Sequence, residues 1–70
     1  MGQYEDELVE ACTRSCRIME QELQKAMPHI EMWCAQHPIG LQSYLDRLVG
    51  YSNAGMSLKH AMHSVEWWAK

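Results

Sequence analysis

Seventy residues with a mass of 8.2 kDa allow one domain, spanning 1–70, and 47% hydrophobic residues with a net charge of −3 exclude a disordered chain. No apolar run approaches the roughly 18 residues that cross a bilayer, and the acidic opening MGQYEDELVE is not a signal peptide, so no membrane contact is expected. A core this small supplies only about 3–5 kcal/mol, so a disulfide, a metal or a second chain is expected to support it.

The first element reads as one long amphipathic helix over residues 3–27. Its apolar side chains recur at Tyr4, Leu8, Ala11, Cys12, Cys16, Met19, Leu23, Ala26 and Met27, in steps of mostly three and four. Glu5, Asp6, Glu7 and Glu10 occupy its first turns, where carboxylates oppose the positive end of the helix dipole. Pro28 lacks a backbone donor and disfavours helical geometry at Met27, which predicts that the helix ends or kinks there. A short helix then fits residues 29–36, with Ile30, Trp33 and Cys34 inward and Met32 nearer the edge.

His37-Pro38 closes that segment, and a third helix fits residues 39–52, with Leu41, Tyr44, Leu45, Leu48 and Tyr51 on one stripe. Asn53-Ala54-Gly55 is a turn, because Asn and Gly tolerate the left-handed conformation that ends helices. The last helix fits residues 57–69. Ser57 is its N-cap, Met56 is placed to fold onto Ala61 as a hydrophobic staple, and Leu58, Ala61, Met62, Val65, Trp68 and Ala69 form its stripe. The expectation is an all-α bundle of three to four helices, a long N-terminal amphipathic helix followed by shorter ones.

The odd cysteine count (Cys12, Cys16 and Cys34) argues against a disulfide framework and for a reducing compartment, hence a cytoplasmic location. Cys12 and Cys16 share one helix face and could hold zinc with His60 and His63, three apart on the last helix. Reduced cysteine packing as a small hydrophobe explains the same spacing, and neither a metal nor another cofactor is expected.

A helix of 25 residues is about 37 Å long, whereas a compact globule of 70 residues is roughly 28 Å across. The first helix would overhang, and a second copy packed about a two-fold axis would cover it through Leu8, Cys12, Met19 and Leu23. Trp67 and Trp68 lie about 100° apart around the last helix, so one small core cannot take both. Trp68 continues the core spacing, which leaves Trp67 outward beside Met62 and His63 as a partner-binding surface.

No phosphate-binding glycine loop, nucleophile elbow or H-E-x-x-H helix is present, and the chain reads as non-enzymatic. Cys34 and His37 are spaced for a thiolate–imidazole pair, but a bundle this small offers little water-excluding cleft. Charge is uneven: residues 1–35 carry −4 and residues 36–70 carry +1. Residues 45–68 have the outline of a helix-turn-helix, with Lys59, His60 and His63 facing nucleic acid. Arg47, Lys59 and Lys70 fall short of the roughly six to ten phosphate contacts of a typical binder.

The sequence therefore points first to a protein–protein interaction module, a homodimeric regulator or inhibitor that occupies an unidentified protein target. A helix-turn-helix DNA-binding transcriptional regulator is the alternative. In size and acidic helical character the chain resembles regulators encoded by phages and mobile elements, a likeness of type alone.

Overall fold

The computed structural model describes residues 3–70, with side chains from residue 6 onward, so Met1 and the Tyr4 ring lie outside what it describes. Within it are α1 (Gln3–Ser15), α2 (Glu20–Gln36), α3 (Leu41–Asn53) and α4 (Leu58–Trp68), and among the described residues there is no strand. The chain is a small all-α bundle. No helix of the described residues is long and apolar enough to cross a membrane.

The long first helix is two helices instead. It breaks at residues 16–19, and Pro28, expected to end it, sits inside α2, so residues 29–36 are not a separate helix. Side chains near the break bond back to the preceding turn. Thr13 Oγ1 donates to the Val9 and Glu10 carbonyls at 3.0 and 3.1 Å, Ser15 Oγ to Ala11 at 3.1 Å, and Cys16 Sγ to Cys12 at 3.0 Å. Such bonds give the backbone an alternative to continuing the helix. The Ser15 carbonyl is taken by Asn53 Nδ2 at 2.9 Å, a cap supplied by the end of α3. Ile18 is then buried in the connection, and Met19 turns extended to start α2.

Pro28 removes one helical hydrogen bond, at a cost of about 3 kcal/mol in a helix interior. Leu23, Met27 and Ile30 flank it at helical spacing, and all three are fully buried. Ending the helix at Met27 would take Ile30 out of register with that face. Pro28 itself is exposed, so the carbonyl it leaves unpaired, that of Gln24, is on a stretch of α2 with solvent beside it.

The consequence is closure. At 13 residues α1 is about 20 Å long, and at 17 residues α2 is about 26 Å. Both fit a body of 29 × 27 × 16 Å, whose radius of gyration of 10.9 Å matches the value of about 11 Å for a compact chain of this length. The surface of 4682 Å² is near the roughly 4500 Å² of a folded monomer of this mass. Nothing overhangs. Val9, Cys12 and Ile18 pack with Leu23, Met27 and Ile30, with Tyr44, Leu45 and Leu48 of α3, and with Ala61 and Val65 of α4.

The two later helices follow their local signals. At the end of α3, Met56 N–H donates to the Tyr51 carbonyl (3.1 Å) and Gly55 N–H to Ser52 (3.0 Å), with Gly55 at φ 107°. That pair of bonds is a Schellman motif, which needs a left-handed residue where Gly55 stands. Ser57 caps α4, its hydroxyl accepting from the His60 N–H at 3.3 Å. Met56 does fold over α4, but its sulfur receives the Ser64 hydroxyl at 3.5 Å, beyond the Ala61 position expected of a staple.

Two glycines separate backbone from side-chain effects. A Cβ at Gly55 or Gly50 would meet no neighbour within 4 Å, but only Gly55 has positive φ. Gly55→Ala should lower stability by about 1–2 kcal/mol through backbone strain alone. Gly50→Ala, on the exposed side of α3, should raise it by about 0.4–1 kcal/mol. Urea unfolding of both variants checks the pair, and equal effects would contradict the assigned turn.

Candidate functional site

The site is built on α4. Ala61 and Val65 anchor this helix in the core, and the other faces of α4 are left for a groove against α2 and for solvent. One carboxylate ties the three later helices together. Tyr44 of α3, itself fully buried, donates its hydroxyl to Glu66 Oε2 at 2.7 Å, and His29 Nε2 of α2 lies 2.8 Å from the same oxygen. Trp33 packs edge-on to Tyr44 at 5.8 Å and stacks on His37 at 3.8 Å, with the His37 Nδ1 bonded to the Trp33 carbonyl. This fixes the rotation of α4 about its own axis.

Between α2 and α4 runs a groove of about 350 Å³, with Leu58 and Met62 on one wall, Lys59 and His63 beside them, and Glu22 on α2. The His29–Glu66 bridge stands across it. A second hollow of about 290 Å³, lined by Arg17, Ile18, Met19 and Met56, shares Glu22 and Leu58 with the first.

Beyond the bridge stands Trp67, at 74% exposure the most open large apolar side chain among the described residues. It lies one turn past His63 on the helix, and Met62 and His63 both line the groove. The outward expectation for Trp67 therefore matches its position. Trp68, expected in the core, is 45% exposed, and Arg47 of α3 lies over its ring 3.8 Å from the centroid. A guanidinium on an indole face is a favourable cation–π contact.

Other expected groupings do not assemble. Of the proposed dimer contacts, Cys12 and Leu23 are enclosed by the core of one chain, Leu8 is half-buried and Met19 is 64% exposed, so the four form no outward stripe. Cys12 sits in the core while His60 and His63 are exposed on α4, and among the described residues no three metal-ligating side chains are placed to hold an ion. Lys59, His60 and His63 are all exposed on the helix after a four-residue turn, as the helix-turn-helix outline requires. Arg47 is engaged by Trp68, which leaves still fewer cations for phosphate.

Two of the thiols are shielded. Burial, then Cys16 and Asp46, push the Cys12 thiol up to about 11 from 9.0, and burial, then Glu66, raise Cys34. Higher values keep a thiol protonated and poorly nucleophilic. His37 turns to its own Trp33 carbonyl. Burial, the Glu66 hydrogen bond, and the charges of Glu66 and Cys34 likewise push Tyr44 well above its usual range.

Sequence reasoning did not find the Glu66–His29–Tyr44 tie. Spacing within one helix carries no signal for it, since its members are 22 and 37 positions apart. No known protein family, curated protein or solved structure matches the chain, so the site rests on its own geometry.

Alkaline stability tests the buried thiol. The unfolded chain releases the Cys12 proton near pH 9.0, while the folded chain holds it until about 11. Stability should therefore be intact below the lower value and fall as pH rises through that window, with Tyr44 adding to the loss in the same direction. Cys12→Ala should make the decline shallower in urea unfolding between pH 9.0 and 11, whatever its effect on absolute stability. An unchanged slope would place the Cys12 thiol in water.

Proposed function

We propose that this protein is a small helical interaction module, a regulator or inhibitor that binds a partner protein through α4. The observation that carries this reading is Trp67. It is a large ring, 74% exposed, on a helix whose opposite side is held by Ala61, Val65 and the Glu66 tie. Tryptophan is the residue type most enriched at binding hot spots, and a ring presented on an ordered helix spares the ordering cost that weakens flexible contacts. Met62 and His63 stand one turn away at the groove, giving an adaptable apolar wall and a polar edge.

A second copy was expected because the first helix would overhang, and the turn at residues 16–19 removes that overhang. Leu23 and Cys12 are already used within one chain.

Affinity purification from the native host, with the wild-type chain beside Trp67→Ala, tests the reading. Loss of a hot-spot tryptophan costs about 2 kcal/mol or more of binding, so capture of the partner should drop roughly thirtyfold or below detection. Helicity should be unchanged and stability should move by less than about 0.5 kcal/mol, as for an exposed side chain. Capture retained by Trp67→Ala would refute α4 as the contact, and lost helicity would make Trp67 part of the fold.

A further inference from the structure

Four parts of the chain meet around the hollow of about 290 Å³: the connection at residues 16–19, α2, the end of α3 and the start of α4. Ser52, at the end of α3, is its covered polar residue, only 2% exposed. A helical serine commonly returns its hydroxyl to the carbonyl one turn back, as Ser15 does to Ala11. Ser52 does not. Among the described residues no group takes its hydroxyl, which keeps its access to the hollow. A hydroxyl so covered costs stability unless something entering the hollow bonds to it.

Charge narrows what can enter. Arg17 and Glu22 stand on the same hollow, both exposed, and among the described residues neither is held in an ion pair. The lining is therefore neutral in sum but carries one free guanidinium and one free carboxylate. A ligand of either net charge gains from one group and loses to the other, whereas a molecule bearing both charges gains from both. The start of α4 adds donors for the negative end. The first N–H groups of a helix have no partner within it, and the Ser57 hydroxyl takes that of His60, leaving those of Leu58 and Lys59.

The remaining wall is apolar, formed by Ile18, Met19, Met56 and Leu58. Its thioethers adapt to the shape of an incoming side chain. The volume falls at the low end of ligand sites, which span roughly 300–1,000 Å³, so the ligand is of amino-acid size.

From this juxtaposition we infer that the hollow binds a free zwitterionic α-amino acid with an apolar side chain such as that of leucine. Its carboxylate lies toward Arg17 and the start of α4, its ammonium toward Glu22, and its side chain against Met19, Met56 and Leu58. The Ser52 hydroxyl bonds to its polar end. Leu58 opens α4 and Trp67 lies about 14 Å farther along the helix axis, so this site is separate from the proposed protein contact.

Three probes test the inference: leucine, leucinamide, which lacks the carboxylate, and N-acetylleucine, which lacks the ammonium. Each is titrated at neutral pH into the full chain carrying labelled methionine methyls. Leucine should shift the Met19 and Met56 methyls while leaving fixed the buried Met27 and Met32, which lines neither hollow. Leucinamide and N-acetylleucine should each bind about fivefold more weakly, the scale of one exposed ion pair. Arg17→Gln should bring leucine down to the affinity of leucinamide, and Glu22→Gln to that of N-acetylleucine. Ser52→Ala, which deletes only the hydroxyl, should weaken leucine with helicity unchanged.

Absence of Met19 and Met56 shifts with leucine would overturn the inference. Equal binding of the three probes would also overturn it, making the hollow a general apolar crevice. So would tighter binding of leucinamide or N-acetylleucine than of leucine, since the hollow would then select a single charge. Unchanged leucine affinity in all three variants would place the amino acid elsewhere on the chain.

Discussion

Ile18 goes into the core between two helices, and the rest of the fold depends on it. A helix running unbroken from residue 3 to residue 36 would be about 50 Å long and could bury its stripe only against another chain. Turning at residues 16–19 lays α1 back against α2, so Val9 and Cys12 meet Leu23, Met27 and Ile30. The turn is secured from elsewhere in the chain, by Asn53 at the end of α3 bonding the Ser15 carbonyl. Closure of the hydrophobic surface within one chain is what outweighs both the interrupted helix and the internal proline.

With that core closed, α4 carries two duties on different faces. Ala61 and Val65 bind it to the bundle, and the Glu66 carboxylate fixes its orientation through Tyr44 and His29. A polar tie of this kind, partly shielded and satisfied on both sides, specifies one rotation of the helix more sharply than apolar packing alone. That rotation sets Met62 and His63 at the groove and leaves Trp67 in water. Position, not chemistry, is what the fold supplies to α4.

Local signals made the second half legible in the sequence. Gly55 and Ser57 punctuate the chain between α3 and α4, and both act through their immediate neighbours, in a Schellman motif and an N-cap. Trp67 was legible as the outward ring because helical spacing alone decides it. Trp68 was half legible, since the arginine that covers it comes from the neighbouring helix. The first half misled for the same reason. Residues 16–19 read Cys-Arg-Ile-Met and contain no helix breaker, whereas Pro28 is a strong one. The break is set by tertiary burial and the proline is overridden by it, so a stripe that seemed to ask for a second copy was already divided between two faces of one core. The groove was invisible for want of any in-helix pattern linking His29 to Glu66.

Backbone secondary chemical shifts of the full chain test the central claim most directly. The account predicts helical shifts over residues 3–15 and 20–36, an interruption at 16–19, and no interruption at Pro28. Helical shifts continuing through 16–19 and ending near Met27 would contradict it, and would return the N-terminal stripe to the surface.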